Sequence, residues 1–143
     1  IKRIFVTHLH GDHAFGLAGV LCMMGQAMHN QNDKLNENGN GGSEATIEPV
    51  EIYGPEGIRD MIRAVVQLSY SMIVPPHRIH ELKSIPKPKG IRHSFYTRVG
   101  TRLDSRFNEL EGGRDIYPDS QGQFHLYTDA HFTVSAASMV HTI

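Results

Sequence analysis

The stretch Thr7-His8-Leu9-His10-Gly11-Asp12-His13 constrains this chain more than any other. It packs three imidazoles and a carboxylate into six consecutive positions. In a locally extended backbone, positions two apart face the same side, so His8 and His10 can grip one metal ion together. Gly11 permits a sharp bend that a Cβ resists. Asp12 and His13 then leave on a new heading, toward a second ion a few Å away, while Leu9 points the other way into a core. Imidazole nitrogen and carboxylate oxygen suit zinc, with manganese or iron as alternatives. The competing reading is a polar loop with a chance run of histidines. Burying four such groups beside a strand without a metal would leave several donors and acceptors to satisfy.

The flanks say what holds this segment. Ile4-Phe5-Val6 closes a short β-branched and apolar run, Ile1 to Thr7, that reads as a strand. From Ala14 onward, Phe15, Leu17, Val20, Leu21, Met24 and Met28 recur at helical spacing and form one apolar face. Their methionines read as core filler, and Cys22 as a small core residue. Residues 29–48 are rich in Asn, Gly and Glu and bury too little to offset their ordering entropy, so a flexible surface insertion is expected there. Val50 to Tyr53 reads as a second strand. Gly54-Pro55-Glu56-Gly57 follows as a turn, and Ile58, Met61, Ile62, Val65, Leu68 and Met72 outline a second helix ended by Pro75-Pro76. His77 to Leu82 reads as a third strand and Ile91 to Val99 as a weaker one. Glu109 to Gln123 is a polar connection. Phe124 to Thr128 and Phe132 to Ala137 read as a hairpin around Asp129-Ala130. Strands and helices alternate early and hairpin strands follow late, which predicts a layered α/β domain with a mixed sheet.

Composition bounds the rest. A net charge of -1 gives no global field toward nucleic acid or membrane. No run approaches the roughly 18 apolar residues of a membrane-spanning helix. A lone cysteine offers no disulfide framework and favours a reducing compartment, cytoplasm or nucleus before an organelle. Lys83, Lys87, Lys89, Arg92, Arg98, Arg102 and Arg106 form the only basic stretch, with Phe95 and Tyr96 interleaved. It is a candidate RNA-contacting strip, although such a run is more often a solvated face. Ile1 at the start and an apolar run cut off at Ile143 lead us to expect an internal piece of a longer chain.

The motif His8-Leu9-His10-Gly11-Asp12-His13 matches the H-x-H-x-D-H signature of metallo-β-lactamase-fold hydrolases at every fixed position. Ile4-Phe5-Val6-Thr7 before it, with Phe15-Gly16-Leu17 and Gly19 after it, resemble RNase Z, the endonuclease that trims the 3′ trailer from transfer-RNA precursors. Pro49-Val50-Glu51-Ile52-Tyr53-Gly54-Pro55-Glu56-Gly57-Ile58 is similar to a segment of the same enzymes. Phe132-Thr133-Val134-Ser135-Ala136-Ala137 with His141 resembles the strand leading to their third metal-binding motif. The likeness is closest to the short form.

This resemblance implies a metallo-β-lactamase-like layered αββα fold, present only in part across residues 1–143. It implies that His8, His10 and His141 bind one zinc ion and that Asp12 and His13 bind the other. Asp12 is then also the candidate general base. The nearest rivals of His141 are His125 and His131, read as surface or strand histidines. A bridging aspartate, a final histidine and an N-terminal strand pair belong to the family outside these residues. The implied function is a zinc-dependent endoribonuclease acting on precursor transfer RNA by two-metal phosphodiester hydrolysis, as a homodimer, with the isolated piece inactive. Two alternatives stand beside it. One is another hydrolase on the same platform, a phosphodiesterase, arylsulfatase or thioesterase. The other is a non-catalytic truncated structural or binding piece.

Overall fold

The computed structural model describes residues 1–37, 48–86 and 101–139. The expected strand at Ile91 to Val99, the middle of the basic stretch and His141 lie outside the described residues.

Strand β1 (Arg3–Phe5) opens the chain and runs through the histidine loop into a single helical turn, α1 (Gly11–Ala14), and then α2 (Leu17–Glu37). Strand β2 (Val50–Pro55), helix α3 (Ile58–Leu68) and strand β3 (His77–Leu82) follow. After a one-turn 3-10 helix at Ser105–Phe107 come the short strand β4 (Asp115–Ile116) and the pair β5 (Gln123–Thr128) and β6 (Thr133–Ala137). Strands β1 to β4 form a four-stranded sheet in chain order, parallel throughout. Strands β5 and β6 pair antiparallel as a separate two-stranded sheet. The expected mixed sheet is thus resolved into a parallel sheet and a hairpin. The crossovers through α2 and α3 dictate the former, because parallel neighbours need a long connection.

Two apolar clusters hold these layers together. Leu17 and Leu21 from α2 and Ile58, Ile62 and Val66 from α3 close over Val50, Ile52 and Ile79 of the sheet. Leu9, Cys22 and Met24 pack against this cluster, as their sequence positions predict. On the hairpin side, Tyr53, Leu82 and Ile116 meet Phe124 and Leu126. Among the described residues no helix is long and apolar enough to cross a membrane.

Four local expectations are corrected. Residues 29–37, expected within a flexible insertion, continue α2. Gln26 donates to Asn30 (2.9 Å) and His29 faces Asp33 (3.6 Å), one turn apart, so polar side chains support an exposed helix that apolar burial does not. Helix α3 stops at Leu68, well before the prolines. Ser69 Oγ donates back to the Val65 carbonyl at 2.6 Å, and Tyr70 takes a left-handed φ of 54°, so the helix ends by its own cap. The polar connection 109–123 contains β4, whose Ile116 is buried, because β3 offers it an unpaired edge. Phe15 and Val20, assigned to the core face, are exposed.

The junction between β2 and α3 shows what the turn residues achieve. Gly57 sits at φ 102°, a conformation that L side chains rarely adopt, and starts the helix without a side-chain cap of its own. The cap comes from β3. Glu81 Oε1 accepts from the backbone N–H of Gly57 (3.1 Å) and of Arg59 (3.0 Å), while Oε2 receives Lys83 Nζ at 2.5 Å. Arg59 reaches on to Asp115 (3.0 Å) and to the Ile79 carbonyl (3.1 Å), tying α3, β3 and β4 together. A second buried pair, Arg63 with Glu109, is bidentate at 2.7 Å in both bonds.

Candidate metal centre

His10 leaves β1's extension in an extended conformation (φ -62°, ψ 148°), and the chain turns helical at the next residue. The His13 and Ala14 N–H groups both donate to the His10 carbonyl, at 3.0 and 2.9 Å. This turn gathers the rings. His8 lies 4.5 Å from His10 and 4.2 Å from His13, centroid to centroid, so His8 is the ring against which both others pack. Asp12 Oδ2 lies 3.3 Å from His13 Nε2, with both side chains largely exposed. Gly11 matters here for space, since a Cβ would stand 2.5 Å from the Phe15 ring one turn on.

The donor set matches zinc in kind, and the turn brings His8 against His10 and His13, and Asp12 against His13. Among the described residues, however, no three His, Cys, Asp or Glu side chains form a group that could hold an ion. The loop is chemically fitted to contribute ligands, but His8, His10, Asp12 and His13 do not by themselves complete a coordination sphere. His125, a rival ligand, is instead paired with Asp119 (2.9 Å), and the His131 N–H caps onto Asp129 (2.7 Å) within the hairpin turn. Both act as surface histidines. Phe132 meets the Tyr127 ring, at 5.7 Å.

A separate polar cluster lies on the hairpin side of the sheet, and sequence reading missed it. An open cleft of about 420 Å³ is lined by Arg3, Glu51, Tyr53, Arg78, His80, Arg114 and Tyr127, among others. Phe5, Tyr53 and His80 stack across three strands at 5.1 and 4.5 Å, with each ring in register with the next. The Arg114 backbone N–H donates to His80 Nδ1 (3.1 Å), so that nitrogen is unprotonated and Nε2–H donates to Glu51 (2.7 Å). Arg3 lies 3.5 Å over the Tyr127 ring. The alternation of His80 with buried neighbours in β3 was the available signal, but a buried histidine and a buried aliphatic residue occupy the same place in such a pattern.

Burial holds both His77 and His80 below the ordinary imidazole value of 6.5, despite the acceptors Pro75 and Glu51 that favour the charged forms. The unfolded chain therefore binds protons more readily than the folded one below that value. Stability from these two groups is full above pH 6.5 and is lost as pH falls below it. The urea midpoint is expected to drop between pH 7.5 and pH 5.5, and His80→Gln to flatten that acid limb. A midpoint constant across this range would contradict the assignment.

The basic stretch is partly spent on ion pairs within this chain. Lys83 pairs with Glu81 and Glu56, and Arg106 with Asp104, at 2.7 Å for the shortest contact of the latter pair. Gly54 to Gly57 forms the expected strand-to-helix turn, and Glu81 occupies the helix N-terminus that follows it.

Comparison with known proteins puts this geometry in context. No family model matches the chain. The zinc phosphodiesterase ELAC protein 1 of Bos taurus is 33% identical over 143 residues, all of this chain and 36% of that protein. Its Homo sapiens counterpart is 35% identical over the same span. A ribonuclease Z from Picosynechococcus sp. is 41% identical over 83 residues, 58% of this chain. The crystal structure of human tRNase Z, short form, aligns with a TM-score of 0.65 and 32% identity, covering 100% of this chain and 42% of that one. The chain is similar to RNase Z enzymes along its whole length. It spans 36% of the length of the mammalian relatives it matches, and its fold is the corresponding part of the RNase Z metallo-β-lactamase-like fold. Two of the three anchors of the RNase Z resemblance acquire a physical reason: the first is the ring cluster, and the second is the turn whose N–H groups Glu81 holds. The third anchor is β6, beyond which His141 lies outside the described residues.

Proposed function

We propose that the full-length protein is a zinc-dependent endoribonuclease that removes the 3′ trailer from precursor transfer RNA. The observation that carries this reading is the gathering of His8, His10 and His13 around one short turn, with Asp12 beside them, in a chain similar to RNase Z along its whole length. In this reading His8, His10 and His141 hold one ion, and Asp12 and His13 hold the second. The chemistry such a pair supplies is activation of water and neutralisation of charge on the phosphoryl oxygens. Asp12 orients the attacking water and takes its proton, for which an exposed carboxylate at the mouth of the turn is suitably free to move. Leu9 anchors the loop against the core, so the ligands on either side of it are held by packing. The products are RNA with a 3′-hydroxyl and a trailer with a 5′-phosphate.

The full-length protein, offered precursor transfer RNA beside a small phosphodiester, an arylsulfate and a thioester, is expected to cleave the RNA at the trailer. Activity is expected to disappear with a chelator and to return with zinc. Preference for a small substrate would move the protein to another hydrolase class on the same platform. Absence of both metal and hydrolysis would leave the non-catalytic reading.

We propose further that the protein works as a homodimer. An apolar groove between the start of α2 and α3, lined by Phe15, Met61 and Val65, supports this reading, with Leu68 exposed nearby. Light scattering of Val65→Glu, Leu68→Glu double variants is expected to report a monomer. An unchanged mass would remove this face from the interface.

A further inference from the structure

The residue before the first histidine is part of the site in a way that the ligand motif does not specify. Thr7 Oγ1 lies 3.0 Å from His8 Nδ1. A neutral imidazole carries one proton and one bare nitrogen, and a metal takes the bare one. A hydroxyl that accepts Nδ1–H therefore leaves Nε2 as the donor to a metal and fixes the plane of the ring. Metal-bound histidines are commonly held this way by an acceptor on their second nitrogen. Two features make the contact more than an incidental surface hydrogen bond. His8 is the ring against which His10 and His13 both pack. Thr is also β-branched and stiff at χ1, which places the hydroxyl more firmly than Ser would.

We propose that Thr7 is a positioning residue: its hydroxyl accepts the His8 Nδ1 proton and selects Nε2 as the nitrogen offered to zinc. This inference rests on the reading of His8 as a ligand. Thr7 itself is exposed, so the contact adds little to folding and its loss is read in metal binding rather than in stability.

The test uses the full-length protein. In its metal-free form, long-range proton–nitrogen NMR correlations, assigned with His8→Gln, are expected to show His8 protonated at Nδ1. Protonation at Nε2 would overturn the proposal, whatever the variants do. Zinc affinity, measured by competition with a chromophoric chelator, is expected to fall about 10- to 100-fold in Thr7→Val. Thr7→Ser is expected to recover most of that loss, with the metal-free melting temperature unchanged in both. If Thr7→Val binds zinc as tightly as the parent while His8→Ala does not, Thr7 has no positioning role and the ligand assignment survives. If His8→Ala also binds as tightly as the parent, the ligand assignment itself fails.

Discussion

Replacing Glu81 with Ala is expected to lower the unfolding free energy by about 3–5 kcal/mol, the range for breaking a buried, hydrogen-bonded ion pair. Glu81 is 4% exposed. Its loss abandons the Gly57 and Arg59 N–H groups at the start of α3 and leaves Lys83 with the longer bond to Glu56. Lys83 reports the same dependence: burial pulls its pKa down, and the bonds to Glu81 and Glu56 more than offset this, leaving it raised. Glu81→Gln keeps an oxygen for the two N–H groups and loses the charge, so its cost is smaller, about 1.5–3 kcal/mol. Urea denaturation with an unchanged m-value measures both. A Glu81→Ala variant within about 1 kcal/mol of the parent would mean that water or another acceptor re-caps α3, and the account of this junction would be wrong.

Asp12→Ala is the second large effect, and it acts on rate. Cleavage of precursor transfer RNA by the full-length protein is expected to fall about 10²- to 10⁴-fold, the usual worth of a positioned acid–base group. Folding should hardly change. The Asp12 side chain is 77% exposed and, among the described residues, its short contact is the 3.3 Å approach to His13, so truncation leaves neither a cavity nor a stranded buried charge. A stability change within about 0.5 kcal/mol is expected, as for other exposed positions. Wild-type cleavage rates in a folded Asp12→Ala protein would remove this carboxylate from the mechanism. A folded variant that also loses one equivalent of zinc would agree with its second role as a ligand.

These two residues differ in how they could be read. Asp12 belongs to a motif that is complete within six positions, and the turn at Gly11 delivers His13 beside it without help from the rest of the chain. Glu81 sits 24 residues from Gly57 and looks, in sequence, like a polar residue at the end of a strand. Only the parallel pairing of β2 with β3 brings it beneath the helix. His80 was passed over for the same reason: its partners Glu51 and Arg114 are 29 and 34 residues away. The end of α3 was misjudged because Pro75-Pro76 is a strong stop signal, whereas the Ser69 cap that acts first is a weak one. The helical extension beyond Met28 has no apolar period to display, since residues 29–34 are all exposed.

What the residues fixed by themselves is therefore local. The opening strand, the turn at Gly11, the convergence of His8, His10 and His13 and the start of α2 all lie within one short stretch of chain, where backbone geometry and side-chain spacing leave few alternatives. What the tertiary structure decided is every partnership across the sheet: the Glu81 cap on α3, the Arg63–Glu109 pair and the His80–Glu51 bond. Such partners are set by strand order and register, which hydrophobic pattern constrains only to the correct face. A buried charge can be placed there only once its counterpart has arrived.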